Sequence, residues 1–255
     1  MIKLIDILEN KILVPRRSKE ERSKNYQIAL KKQVQQYIKD GGKGSLILNN
    51  TPIPSLPDNL KVGGDLNLDH TSITSLPNNL KIDGDLNSRF TKITSLPDDL
   101  EVGGHLNLDY SQISSLPNNL KVVGNLKLTN TPITSLPDNL KVGGFLGLNG
   151  SKVTSLPNNL QVEKSLLLNY SKITSLPDNL TVGGDLYLNH TPISSLPNNL
   201  TVEGGLDLYN TKITSLPDNL KVGRGLDLKE TPLSKKYSEE EIRKMVPGVK
   251  GKIYI

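Results

Sequence analysis

Residues Leu66–Leu80, LNLDHTSITSLPNNL, hold a pattern that the chain rewrites through most of its length. The leucine of its Ser-Leu-Pro step recurs at Leu56, Leu76, Leu96, Leu116, Leu136, Leu156, Leu176, Leu196 and Leu216, always twenty residues apart, with no insertion or deletion. A fixed period of twenty to fifty residues marks a solenoid, in which each unit buries its apolar side only against its neighbours.

One unit reads Leu60-x-Val62-Gly63-Gly64-x-Leu66-x-Leu68-x-x-Thr71-x-Ile73-x-Ser75-Leu76-Pro77. Leu66 and Leu68 stand two apart and so point the same way along a short strand. Twenty residues cannot hold a strand, two turns and an α-helix, so the return is extended. Pro77 supports this, because proline drives the residue before it out of the helical region. Pro77-Asn78 suits a tight turn, and Gly63-Gly64 supplies backbone freedom for re-entry into the next strand. Ten strands, first residues Ser45 to Gly225, would stack in parallel over about 45 Å. One column holds only hydroxyl residues: Thr51, Thr71, Thr91, Ser111, Thr131, Ser151, Ser171, Thr191, Thr211 and Thr231. Such a ladder can satisfy backbone groups inside a buried turn.

The flanks break the period. Met1, Leu4, Ile5, Leu8 and Ile12 have helical spacing, and Pro15 stops that segment. Ser18 and Glu21 form a capping box before a helix over roughly 19–39. Its stripe is Tyr26, Ala29, Leu30, Val34, Tyr37 and Ile38, and Asp40-Gly41-Gly42 ends it. The two segments read as a helical hairpin covering the open end of the array. Beyond Leu233, Ser238 and Glu239–Glu241 start a helix to about Met245, and Lys252–Ile255 alternates like a last strand. The expected organisation is a helical N-terminal cap over 1–43, a solenoid over 44–233 and a C-terminal cap over 234–255. In class it is a β-rich (α+β) solenoid with an extended convex side.

The net charge of +5 is unevenly spread. Residues 1–43 hold eleven Lys/Arg against five Asp/Glu, residues 44–233 fourteen against eighteen, and residues 234–255 six against three. The ends are basic and the array is mildly acidic. The absence of cysteine excludes disulfides, zinc thiolates and cysteine nucleophiles. Met1–Val14 is interrupted by Lys3, Asp6, Glu9 and Lys11, which is no signal-peptide core, and no stretch approaches a membrane span. A cytoplasmic location follows as the expectation, with delivery into another cell left open.

The pattern L-x-L-x-x-(T/S)-x-(I/V)-(T/S)-S-L-P resembles a leucine-rich repeat. Its short period and Leu-Pro step are most similar to the IpaH and YopM type of bacterial effectors, and similar arrays occur in bacteriophage proteins. The likeness covers about 45–231, with Thr or Ser in place of the usual ladder asparagine. In the IpaH family a cysteine-dependent ubiquitin-ligase domain follows the repeats; here there is no cysteine and no room for it, so that activity does not carry over. The resemblance implies a curved, non-enzymatic scaffold that binds an unidentified protein on its concave strand face.

On that face the partner-binding candidates are Asp69, Arg89, Phe90, Asp109, Tyr110, Phe145, Tyr170, Asp185, Tyr187, Asp207 and Tyr209. Exposed aromatics on a rigid sheet are typical interface anchors, though isolated surface aromatics also merely suit strands. Asp65 with Asp85 and Asp207 with Asp227 are paired carboxylates, but on an open sheet they remain solvated rather than catalytic. His70, His105 and His190 are too dispersed for a metal site, no phosphate- or dinucleotide-binding motif occurs, and no cofactor is expected. A second reading places nucleic acid or an anionic surface on the basic cluster Arg16, Arg17, Lys19, Arg22, Lys24, Lys31 and Lys32, which also fits a solvated cap. A third is a structural or self-assembling component. Two units depart from the rule: Ser88 replaces a strand leucine beside Arg89 and Phe90, and Glu163-Lys164 replaces Gly-Gly. Either is drift or a local distortion that shapes a binding patch.

Overall fold

The computed structural model describes residues 18–255. Every twenty-residue unit makes one rung, and the rungs stack in register: Leu46 pairs with Leu66, Leu66 with Leu86, and so on to Leu206 with Leu226. The resulting parallel sheet has eleven strands, ten from the array and one from Ile253–Tyr254 at the C-terminal end. The return is extended, as its proline requires. It also carries a second parallel sheet that the sequence pattern did not announce. Nine two-residue strands, Lys61–Val62 through Lys221–Val222, pair rung to rung.

Between the sheets run columns of apolar side chains. Leu66, Leu68, Ile73, Leu80 and Ile82, with their equivalents in other units, are buried. The Leu76 column closes the side at the Leu-Pro step and is slightly less enclosed. Ser88 occupies the Leu68 column and is fully buried, with its hydroxyl 3.3 Å from that of Thr91. Its amide still donates to the Asn107 carbonyl at 2.9 Å, so the departure leaves the ladder intact. Lys164 likewise donates to the Gly144 carbonyl, at 3.2 Å.

The hydroxyl column does the job its chemistry suggests. Thr71, Thr131, Thr191, Thr211 and Thr231 are buried and donate to the carbonyl three residues back at 2.6–2.7 Å. A buried carbonyl at the end of a strand is thereby satisfied. The serines behave differently. Ser111 and Ser171 accept from Ile113 and Ile173 at 3.4 Å, and Ser151 Oγ has no partner among the described residues.

The glycine pair acts through space rather than through dihedral freedom. Neither Gly63 nor Gly64 has a positive φ, but a Cβ on Gly104 would lie 2.9 Å from the backbone carbon of Gly84. One position earlier the bend alternates: Gly63, Asp83, Gly103, Val123, Gly143, Glu163, Gly183, Glu203, Gly223. A Cβ on Gly103, Gly143, Gly183 or Gly223 would fall 2.1–2.3 Å from the carbonyl oxygen of the preceding unit, which only every second unit must avoid. The Leu-Pro turn alternates in step: Asp58, Asn78, Asp98, Asn118, Asp138, Asn158, Asp178, Asn198, Asp218. Two rungs separate successive aspartates, about 10 Å, so their repulsion is largely screened at ordinary salt. Asn78 N donates to Asp58 Oδ1 at 2.8 Å across one such step. The structural repeat is therefore forty residues, two units.

At the N-terminal end helix α1 spans Lys19–Lys39 behind the Ser18/Glu21 capping box. Leu30 and Val34 join the core, Tyr26 and Tyr37 pack against it, and Ile38 is 45% exposed, so the stripe is narrower than its spacing suggests. Gly41 and Gly42 close the helix with φ of 82° and 64°. The expected helix over Met1–Val14 lies outside the described residues. At the other end helix α2, Glu239–Met245, also starts with a capping box, Ser238 with Glu241. The hydrogen bonds from the Ser238 amide and hydroxyl hold the Glu241 carboxyl below its ordinary pKa. Ile242 and Val246 are buried, and Ile253–Tyr254 covers the last rung.

Candidate partner-binding face

Leu66 and Leu68 point inward, so residues 65, 67 and 69 of each unit face out. The polar side chains there first serve the ladder. Before the strand, each residue accepts from the amide one unit on: Asp65 Oδ1 from Asp85 N (2.9 Å), Asp85 Oδ1 from His105 N (2.7 Å), His105 Nδ1 from Asn125 N (2.8 Å) and Asn125 Oδ1 from Phe145 N (2.9 Å). The run resumes at Ser165, and Asp185 Oδ1 accepts from Gly205 N at 2.7 Å. After the strand, Asp69 accepts from Arg89 N and Nε, and Asp109 accepts from Thr129 N. Elsewhere the unit supplies its own acceptor: Asn107 serves Asp109, Asp207 serves Tyr209 and Asp227 serves Lys229, the Asn189 carboxamide behind Tyr209 donating instead to Asp207. The carboxylates thus have a backbone role that explains them without acid–base chemistry.

The candidates divide into two groups. Asp185, Tyr187 and Asp207 come together on the strand face, joined by Asp227 and by Tyr254 from the C-terminal strand. They surround a shallow depression of about 260 Å³ whose floor is opened by Gly205 and Gly225. Tyr187 hydroxyl lies 3.3 Å from Asp185 Oδ2, and burial, followed by the Asp185 charge, raises its pKa. Lys229 and Lys252 sit 5.0 and 5.1 Å from the Tyr254 ring centre. Phe145 lies further along the face with Lys127 Nζ 5.4 Å from its ring. The alternation in Lys252–Ile255 marked the strand, but nothing local showed that Tyr254 would land in the same column as Tyr187, three rungs along, because that depends on which rung the last strand covers.

Phe90, Tyr110 and Tyr170 are elsewhere, at the tip of the turn that follows the strand. Residues 50, 70, 90, 110, 130, 150, 170, 190, 210 and 230 all have φ between 52° and 65°. That left-handed region is uncommon outside Gly and Asn and counts as an outlier for bulky side chains. Asn50, Asn130, Gly150 and Asn210 suit it intrinsically, and His70 and His190 tolerate it; Phe90, Tyr110, Tyr170 and Glu230 do not. The rings instead stack at rung spacing. His70–Phe90 and Phe90–Tyr110 centroids are 4.5 and 4.6 Å apart, and Tyr170–His190 are 4.5 Å apart, all within 10° of parallel. Tyr209 meets His190 edge-on at 5.3 Å. Of the remaining candidates, Arg89 and Asp69 form an ion pair at 3.0 Å beside the first stack.

The three histidines are accounted for by these ladders. Among the described residues no cluster of His, Asp and Glu is placed to hold a metal ion, and no helix is long and apolar enough to cross a membrane. Of the basic cluster, Lys24, Lys31 and Lys32 are exposed on α1. Arg16 and Arg17, and the side chains of Lys19 and Arg22, lie outside what is described.

The chain has the leucine-rich-repeat fold: a parallel-strand β-solenoid with one described helix at each end. Among solved structures it is similar to YopM from Yersinia enterocolitica WA-314, with a TM-score of 0.53 at 20% identity over 98% of this chain and 53% of that one. It is also similar to YopM of Yersinia pestis, described as a leucine-rich effector protein, with a TM-score of 0.52 at 18% identity over 86% and 73%. The chain spans about half the length of the first of these structures. No protein-family model and no curated protein matches the sequence.

Proposed function

We propose that this protein is a non-enzymatic interaction scaffold that seats a protein partner on the strand-lined face. The observation that carries the reading is the depression between Tyr187 and Tyr254 on that face. Two tyrosines on a hydrogen-bonded sheet supply rigid amphipathic anchors with little rotamer entropy to lose, the combination that concentrates binding energy at interfaces. Asp185, Asp207 and Asp227 ring the depression and orient an incoming polar group, while Gly205 and Gly225 leave room for it. Phe145 extends the contact along the sheet, and Asp69, Arg89 and Asp109 form its distal rim. The fold likeness to effector scaffolds agrees with this role.

The test is a partner capture with wild type and a Tyr187→Ala, Tyr254→Ala double variant, both shown to be folded by circular dichroism. Loss of a specific protein from the variant sample supports the reading. Equal recovery of every captured protein by the two sinks it.

A further inference from the structure

The tip ladder contains one interval without rings. Between Tyr110 and Tyr170 stand Asn130 and Gly150, in the same left-handed turn. Phe90 covers one face of Tyr110 at 4.6 Å, and His190 covers one face of Tyr170 at 4.5 Å. Among the described residues no ring stacks on the opposite face of either, and Tyr170 is 62% exposed, more than Phe90 or Tyr110. Three rung steps of about 4.8 Å part the two tyrosines, roughly 14 Å or four stacking intervals of about 3.4 Å, which admits three planar groups stacked between them. Asn130 Oδ1 lies where a Gly150 Cβ would go, so a carboxamide lines the floor of this bay.

The charge around the bay is mostly positive. Residues 126–132, 146–152 and 166–172 contain Lys127, Lys152 and Lys172 and no Asp or Glu, although the array as a whole is acidic; the rung of Tyr110 adds Asp109, which is occupied by the Thr129 amide, and Lys127 leans away over Phe145. Lys152 and Lys172, two residues past the tip, are exposed. A planar, stacked, anionic ligand is what this combination complements. Adjacent bases of a single strand lie about 3.4 Å apart and carry one phosphate each. Alternate side chains of an extended peptide lie about 6.8 Å apart, so two of them would each meet one tyrosine and leave the middle of the bay unfilled, where a run of bases stacks without a gap.

We propose that the bay binds a three-nucleotide run of single-stranded nucleic acid, with its bases stacked between Tyr110 and Tyr170 and its phosphates held by Lys152 and Lys172. Stacking platforms flanked by cations are the general device for such binding, and affinity then falls with salt. The site is separate from the depression at Tyr187, so the two proposals stand or fall independently.

The experiment is fluorescence anisotropy of a labelled thymidine hexanucleotide with the full chain at low and moderate salt. Saturable, salt-weakened binding is expected, reduced about tenfold or more by Tyr170→Ala. Gly150→Tyr should weaken it similarly by filling the bay with the protein's own ring; the backbone there already has the conformation that Tyr170 adopts one rung away. Tyr187→Ala should leave it unchanged. Absence of binding by the wild type overturns the proposal, as does full binding by both bay variants. Loss of binding only on replacing Lys24, Lys31 and Lys32 would assign the nucleic acid to α1 instead. Binding of a Tyr/Glu peptide at the bay without any binding of the oligonucleotide would overturn it in favour of a protein ligand.

Discussion

Residues 70 and 71 of each unit are neighbours in the chain and opposites in what constrains them. At 71 the side-chain chemistry is fixed: every rung carries Thr or Ser, and the threonines give a buried carbonyl its donor. At 70 the backbone is fixed and the chemistry is free: Asn, His, Phe, Tyr, Gly and Glu all adopt the same left-handed turn. The buried ladder is what stacking units demand. The exposed one satisfies a conformational demand that Asn or Gly would meet more cheaply, so its rings point to a use beyond folding.

That contrast can be broken by measurement. Leu188→Ala, in the core column beside the hydroxyl ladder, sets the scale and should cost about 2–5 kcal/mol in urea denaturation. Thr191→Val removes the donor to the Leu188 carbonyl (2.6 Å) at nearly constant shape, and should cost about 1–3 kcal/mol for the group left unsatisfied. A loss as small as a surface substitution would mean the hydroxyl ladder is not structural. Ser151→Thr gives the unpartnered rung the residue that bonds correctly elsewhere, and should raise stability by about 1 kcal/mol. Phe90→Asn is the smallest expected effect. Relief of left-handed strain and loss of two stacked contacts offset one another to within about 1 kcal/mol. If it instead destabilised the protein more than Thr191→Val, the exposed ladder would be a folding element and the distinction would vanish.

Most of the fold was legible because the stacking sheet obeys two periods at once, two within the strand and twenty between units. The hydroxyl column, the capping box at Ser18, the helix start at Ser238 and the covering strand at Ile253–Tyr254 were readable for the same reason: each is a local pattern with one physical use. The second sheet was not, since Leu60-x-Val62 is too short an alternation to distinguish from a turn. Placement of the aromatics failed instructively. Phe90, Tyr110 and Tyr170 were assigned to the strand face, but a left-handed residue ends the alternation, turning them to the tip. Asn50, Asn130, Gly150 and Asn210 in the same column were the available signal. The roles of Asp65, Asp85 and Asp185 needed the structure, because their hydrogen bonds join residues twenty apart.

The alternation at the bend and the Leu-Pro turn also bears on how such a gene can change length. Removing residues 101–120 would bring Asp98 and Asp138 onto adjacent rungs and set the side chains of Asp83 and Val123 against each other where Gly103 had separated them. Removing residues 101–140 would do neither. Copy number in this array should therefore drift in pairs, and viable length variants should differ by multiples of forty residues.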